Sequence, residues 1–114
     1  MKITRLENCE KTPVRIDGAL DAFRQVPVGR ADGSENIAFR VFTVKPGGHT
    51  PHHAHESEHL NYIIGGEGEV MDGETTRPVR QGDFVFVEPD KLHQYRNTGD
   101  EPLVFICAVL GKYE

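Results

Sequence analysis

The stretch "HHAHESEHLNY", residues 52–62, admits two incompatible readings. His55-Glu56-Ser57-Glu58-His59 matches H-E-x-x-H, which on a helix sets two histidines one turn apart for a zinc ion. His53-Ala54-His55 overlaps that match, and its two histidines share a face only when the chain is extended. Both readings put histidines on a metal. They differ over helix or strand, and so over what surrounds the ion.

A helix through His55 and His59 would run from about Ala54 to Ile64 and straight into Gly65-Gly66. Its apolar residues, Leu60, Tyr62, Ile63 and Ile64, bunch at one end and form no stripe at helical spacing. A chain of 114 residues also leaves little room for the lobes of a peptidase. In an extended chain, His53 and His55 point the same way with Cα atoms about 6.6 Å apart. That is within reach of one ion held by bonds of about 2.1 Å. His59 has the same parity, but a straight strand would carry it about 13 Å beyond His55. The chain must therefore bend at Glu56-Ser57 and re-enter as a new strand, "HLNYII". The strand reading is preferred, and H-E-x-x-H is a coincidence of spacing.

The rest of the chain supports strands. Its apolar runs are short and rich in β-branched or aromatic residues: "IAFRVFTV", "LNYII", "GEVM", "DFVFV" and "LVFICAVL". Between them lie "KPGG", "IGGEGE", "MDGET", "RQGD", "EPDK" and "NTGDEP", all turn chemistry. Met71-Asp72-Gly73-Glu74 reads as a tight hairpin turn, with Asp-Gly at the positive-φ positions. The one helical candidate is a turn at "DGALDAF", residues 17–23. The expected fold is all-β, a small antiparallel barrel or sandwich, with no domain boundary.

Composition narrows the function. A formal net charge of −5, with thirteen Lys and Arg scattered and never in a run, argues against nucleic acid or an anionic membrane as partner. No apolar stretch approaches the roughly 20 residues that cross a bilayer. "MKITRLENCEK" lacks the apolar core of a signal peptide, so the expected location is the cytoplasm. Cys9 and Cys107, the two cysteines, read as reduced thiols. Five of the six histidines fall between His49 and His59.

At these residues the chain resembles the cupin superfamily of small antiparallel β-barrels. The first cupin motif, G-x5-H-x-H-x3,4-E-x6-G, reads here as Gly47, His53, His55, His59 in the glutamate position, and Gly66. The second, G-x5-P-x-G-x2-H-x3-N, reads as Gly82, Pro89, His93 and Asn97. Lys91 stands where the motif has its middle glycine, and Gly82 to Pro89 is one residue longer than the strict form. The resemblance implies a jelly-roll, or double-stranded β-helix, spanning residues 1–114. Its barrel core would cover about 38–111, with strands and turns over 1–37. It also implies a metal site of His53, His55, His59 and His93, similar to the four-histidine subset of small single-domain cupins. The expected cofactor is one divalent transition metal per chain, manganese first, with iron, copper, nickel or zinc also compatible with imidazole.

Four neutral imidazoles would leave such an ion its full +2 charge and acidify a bound water strongly. Glu58 is the other candidate for the fourth ligand, since a one-residue bulge would exchange it with His59; His59 is preferred. His49 and His52 read as exposed loop histidines. Parity nominates Asn61, Ile63 and Tyr95 as pocket residues, and the resemblance adds the face carrying Phe105, Cys107 and Val109. The thiol of Cys107 is open to oxidation near a metal or is a small buried hydrophobe. No Ser-His-Asp order, phosphate-cradling loop or carboxylate pair stands out. The expected function is a metalloenzyme of oxidoreductase or dioxygenase type on a small organic molecule. A sugar or uronate isomerase or lyase and a non-catalytic binding module are the alternatives. A homodimer is expected by resemblance, with "FRQVPVG" as an edge strand able to join a partner's sheet.

Overall fold

The computed structural model describes all residues, 1–114. Its strands are β1 (Thr12–Pro13), β2 (Leu20–Val28), β3 (Ile37–His49), β4 (His59–Gly65) and β5 (Glu67–Asp72). They continue as β6 (Thr75–Arg80), β7 (Phe84–Val87), β8 (His93–Arg96) and β9 (Leu103–Leu110). Helical structure is limited to three short 3-10 turns. The fold is all-β.

The apolar runs become the sheet. Its order is β6-β5-β8-β3-β9-β4-β7, with β2 lying along β3, and every pairing is antiparallel. β3 is long enough to serve two neighbours in turn. Its first half pairs with β9 from Ile37↔Leu110 to Val44↔Leu103, and its last residue, His49, pairs with Arg96 of β8. One strand tying two parts of the sheet together curls it on itself, as the double-stranded β-helix requires.

Register decides what faces inward. Arg40 of β3 lies opposite Cys107 of β9, and Cys107 lies opposite Asn61 of β4. The next inward row is Phe42, Phe105 and Ile63. Ile63 and Phe105 of this row join Val44, Leu103, Ala22, Val70, Val79 and Tyr95 in one buried cluster. Burying such side chains contributes roughly 1.5–3 kcal/mol each before entropy is counted.

Two local expectations are corrected. "DGALDAF" forms no helix: Ile16–Gly18 makes a bend and turn closed by Ala19 N–H donating to the Ile16 carbonyl, and β2 begins at Leu20. The hairpin joining β5 to β6 turns at Gly73-Glu74, one residue later than expected. Asp72 pairs with Thr75, and Gly73 alone takes a positive φ, 65°. The side chain of Asp72 is thereby freed to bind Lys91 Nζ at 3.0 Å. Lys91 needs no glycine, because the left-handed residue of that turn is its neighbour Asp90, φ 62°, and aspartate tolerates that region.

Candidate metal centre

Backbone pairing brings the histidines together. His53 and His93 exchange both backbone hydrogen bonds, His53 N–H to the His93 carbonyl at 3.1 Å and the reverse at 2.9 Å. Residues paired this way set their side chains on the same face. Two residues on, the His55 carbonyl accepts the Asp90 N–H, which ties this segment to the turn before β8. The chain then bends at Glu56-Ser57 and re-enters at His59, the first residue of β4, opposite Val87. Bend and re-entry fall where parity and distance required them.

The resulting geometry fits a cation. Donor atoms of His53, His55 and His93 all lie within 4.8 Å of one another. The Nε2 atoms of His53 and His55 are 3.1 Å apart. Two nitrogens each about 2.1 Å from one ion, at tetrahedral or octahedral angles, would be separated by roughly 3.0–3.4 Å. His59 stands beside this trio, its ring stacked on His55 at a centroid distance of 4.7 Å and tilted against His93 at 5.5 Å. It is buried, whereas Glu58 is exposed.

Partners on the far ring nitrogens orient two of the imidazoles. His93 Nδ1 lies 2.9 Å from the Lys91 carbonyl. A carbonyl only accepts, so Nδ1 carries the proton and Nε2 is left bare toward the cluster. His59 Nδ1 faces the Cys107 thiol at 3.8 Å. Electrostatics keeps the group unprotonated. Burial is the largest cause lowering all four, and it takes His53 to about 4 and His59 to about 3. Neighbouring histidines add to this, as does Arg40 for His53, His55 and His59. Neutral imidazole is the ligating form.

The centre opens into a cavity of about 760 Å³. Of the expected pocket residues, Asn61, Tyr95, Phe105 and Cys107 line it. Ile63 does not: it is fully buried in the cluster below. Tyr95 donates its hydroxyl to Asn61 Oδ1 at 2.9 Å and stacks on Phe105 at 4.2 Å, and burial raises its pKa. His52 is exposed, as expected. His49 is not in a loop: it ends β3, half-buried, with Gln94 Nε2 3.3 Å from its Nδ1. The sequence reading did not nominate the segment Thr12–Ile16, Arg24, Arg40, Phe42, Thr50 or Pro51, all of which line the wall. The signal for Arg40 was parity, since it shares a face with Ala38, Phe42 and Val44 in "IAFRVFTV".

Comparison with known proteins agrees with this architecture. The family model for the cupin domain matches residues 40–109. An oxalate-binding protein of Thermotoga maritima is 27% identical over 111 residues, covering 92% of each chain. A 1-methylthio-D-xylulose 5-phosphate methylsulfurylase of Rhodospirillum rubrum is 37% identical over 70 residues, 61% of this chain. The chain spans only 45% of the length of that curated relative. Among solved structures, a cupin 2 conserved barrel domain protein of Rhodopseudomonas palustris superposes with a TM-score of 0.83 at 29% identity, covering 94% of this chain and 77% of the other.

Proposed function

The chain belongs to the cupin domain family, and from that premise we propose a mononuclear metalloenzyme that acts on a small organic molecule held over its ion. The ligands are His53, His55, His59 and His93. The observation that carries the reading is the 3.1 Å approach of two ring nitrogens, His53 and His55 Nε2, beside the oriented His93.

The chain's own residues have separable tasks. The Lys91 carbonyl and the Cys107 thiol hold the rings of His93 and His59 in place. Tyr95 and Asn61 close the floor of the cavity with their mutual hydrogen bond. Bound among the histidines, manganese, iron or copper supplies one-electron chemistry, whereas zinc supplies Lewis acidity alone. The wall offers no carboxylate as acid or base, which favours oxidoreductase chemistry of dioxygenase type, with manganese as the first candidate ion. Lewis-acid chemistry, such as isomerisation, is the second reading. Arg40 favours it, because an inward cation next to the histidines would stabilise an oxyanion formed without any redox step. The oxalate-binding relative supports small-molecule binding under either reading.

The same proposal places the protein in the cytoplasm, both thiols reduced, with a second copy of the chain as partner. The test is elemental analysis of protein purified without an affinity tag, followed by oxygen-electrode and peroxide assays over a panel of small organic molecules. Manganese, iron or copper with oxygen uptake supports the first reading. Activity with zinc alone moves the assignment to the second. Absence of any bound metal after loading ends both.

A further inference from the structure

The cavity is cationic in a protein whose formal net charge is −5. Arg15, Arg24 and Arg40 line it, and no aspartate or glutamate does. The ion pairs of the molecule lie elsewhere: Lys2 with Asp32, Asp72 with Arg77 and Lys91, and Arg96 with Glu69. Arg24 is occupied by the backbone oxygen of Glu114 at 3.1 Å, and Arg15 is exposed near the mouth.

Arg40 is different. Strand register turns it inward, in the row it shares with Cys107 and Asn61. Its guanidinium lies 5.0 Å from the centroid of the Phe42 ring, and its only polar contact is a weak one, Nη2 to the Cys107 sulfur at 3.5 Å. Its Nε is buried with no hydrogen-bond partner. A guanidinium in a low-dielectric wall without a carboxylate is costly, and its open donors match an anion. Phe42 and Phe105 stack at 5.4 Å, and Phe105 and Tyr95 at 4.2 Å, so a flat aromatic wall adjoins the guanidinium.

We propose that the cavity takes an organic carboxylate with a planar apolar body, the carboxylate bound by the Arg40 fork and the body laid against Phe42 and Phe105. This deepens the metal reading by naming the substrate class, and it rests on that reading only for what the ligand's far end meets. The shared chemistry is an oxyanion. A carboxylate fits better than a phosphate because two oxygens satisfy one guanidinium fork. At the cavity floor a phosphate's further oxygens find no free donor, because Tyr95 and Asn61 are bonded to each other. A cavity of about 760 Å³ also has room for much more than a two-carbon diacid.

The test is calorimetric titration of benzoate, salicylate, phenyl phosphate, benzamide and salicylamide into zinc-loaded and metal-free protein. The acids are expected to bind at least about tenfold tighter than their amides, the usual scale for a charge-assisted hydrogen bond. Arg40→Gln removes that preference while leaving amide binding within about twofold, which also shows that the variant is folded. Arg40→Lys keeps the charge, loses the fork and falls between. Benzoate over benzamide in the metal-free protein isolates Arg40 from the metal, so loss of zinc binding sinks the metal reading alone. Equal affinity for acids and amides, an equal loss of both in Arg40→Gln, or tighter binding of phenyl phosphate than salicylate overturns the proposal.

Discussion

His59 stands where the cupin pattern carries a carboxylate, and the exchange alters the charge an ion would feel. Imidazole donates without neutralising, so the centre is one unit more positive than a three-histidine, one-glutamate site. Because His59 is buried among the other rings and Glu58 is exposed, untagged protein is expected to carry about one ion per chain, to lose it in His59→Ala and to keep it in Glu58→Ala; elemental mass spectrometry on the three proteins decides. Protonation supplies a second check. His53 and His59 have folded-state values of about 4 and about 3, below the ordinary 6.5. The unfolded chain therefore binds more protons between those limits, and stability falls as pH drops. The metal-free protein is expected to hold a constant melting temperature above about pH 6.5, then to lose it progressively as pH falls toward 4. Thermal melts across that range, flattened in a His53→Ala/His59→Ala variant, would show the slope belongs to these side chains. His53 is only half-buried, so its share of the slope should be shallow.

At the scale of elements, glycines separate positions where geometry is fixed from positions where it is free. Gly66 joins β4 to β5 with φ 77°, and a Cβ there would run into the Pro102 carbonyl. Gly73 has φ 65° but open space around it. Gly66→Ala is therefore expected to cost about 1–3 kcal/mol, and Gly73→Asn to stay within about 0.5 kcal/mol; urea denaturation of both variants is the measurement. The same contrast explains what could be read in advance. β9 coincides with "LVFICAVL" because its apolar residues leave no other local choice. β6, "TTRPVR", carries no strand signal: only Val79 is buried and the rest faces water, so no alternation marks it. β8, "HQYR", is polar because its inward positions hold His93 of the histidine cluster and a hydrogen-bonded tyrosine rather than aliphatic side chains. In β3 the more apolar parity, Ile37 and Phe39, faces outward, while Ala38, Arg40 and Phe42 face in. Hydrophobicity alone points that strand the wrong way and hides Arg40. Three histidines of the centre were legible because ligand spacing is a local constraint, whereas Thr12–Ile16 reaches the wall only through tertiary folding.

For the whole molecule, the outward face is as informative as the cavity. Phe39, Ala108, Leu60 and Phe86 lie side by side across β3, β9, β4 and β7, each in register with the next. Leu60 is 53% exposed and Phe86 59%, and nearby Phe84 reaches 82%. A contiguous apolar row of this kind on a charged protein marks a surface meant to be covered, and two copies can cover it at once through a two-fold axis. The edge of β2, where "FRQVPVG" lies, is the weaker surface: β1 already pairs at Phe23 and Arg24, and Pro27 interrupts the donors further along. The protein is therefore expected to scatter light as a particle of twice its 12.8 kDa chain mass, with contact through the row. A Leu60→Glu/Phe86→Glu variant should halve that mass and leave metal content unchanged, since the row faces away from the histidines. A wild-type monomer at working concentration would remove the dimer from the account. A variant that dimerises as before would move the contact to the β2 edge instead.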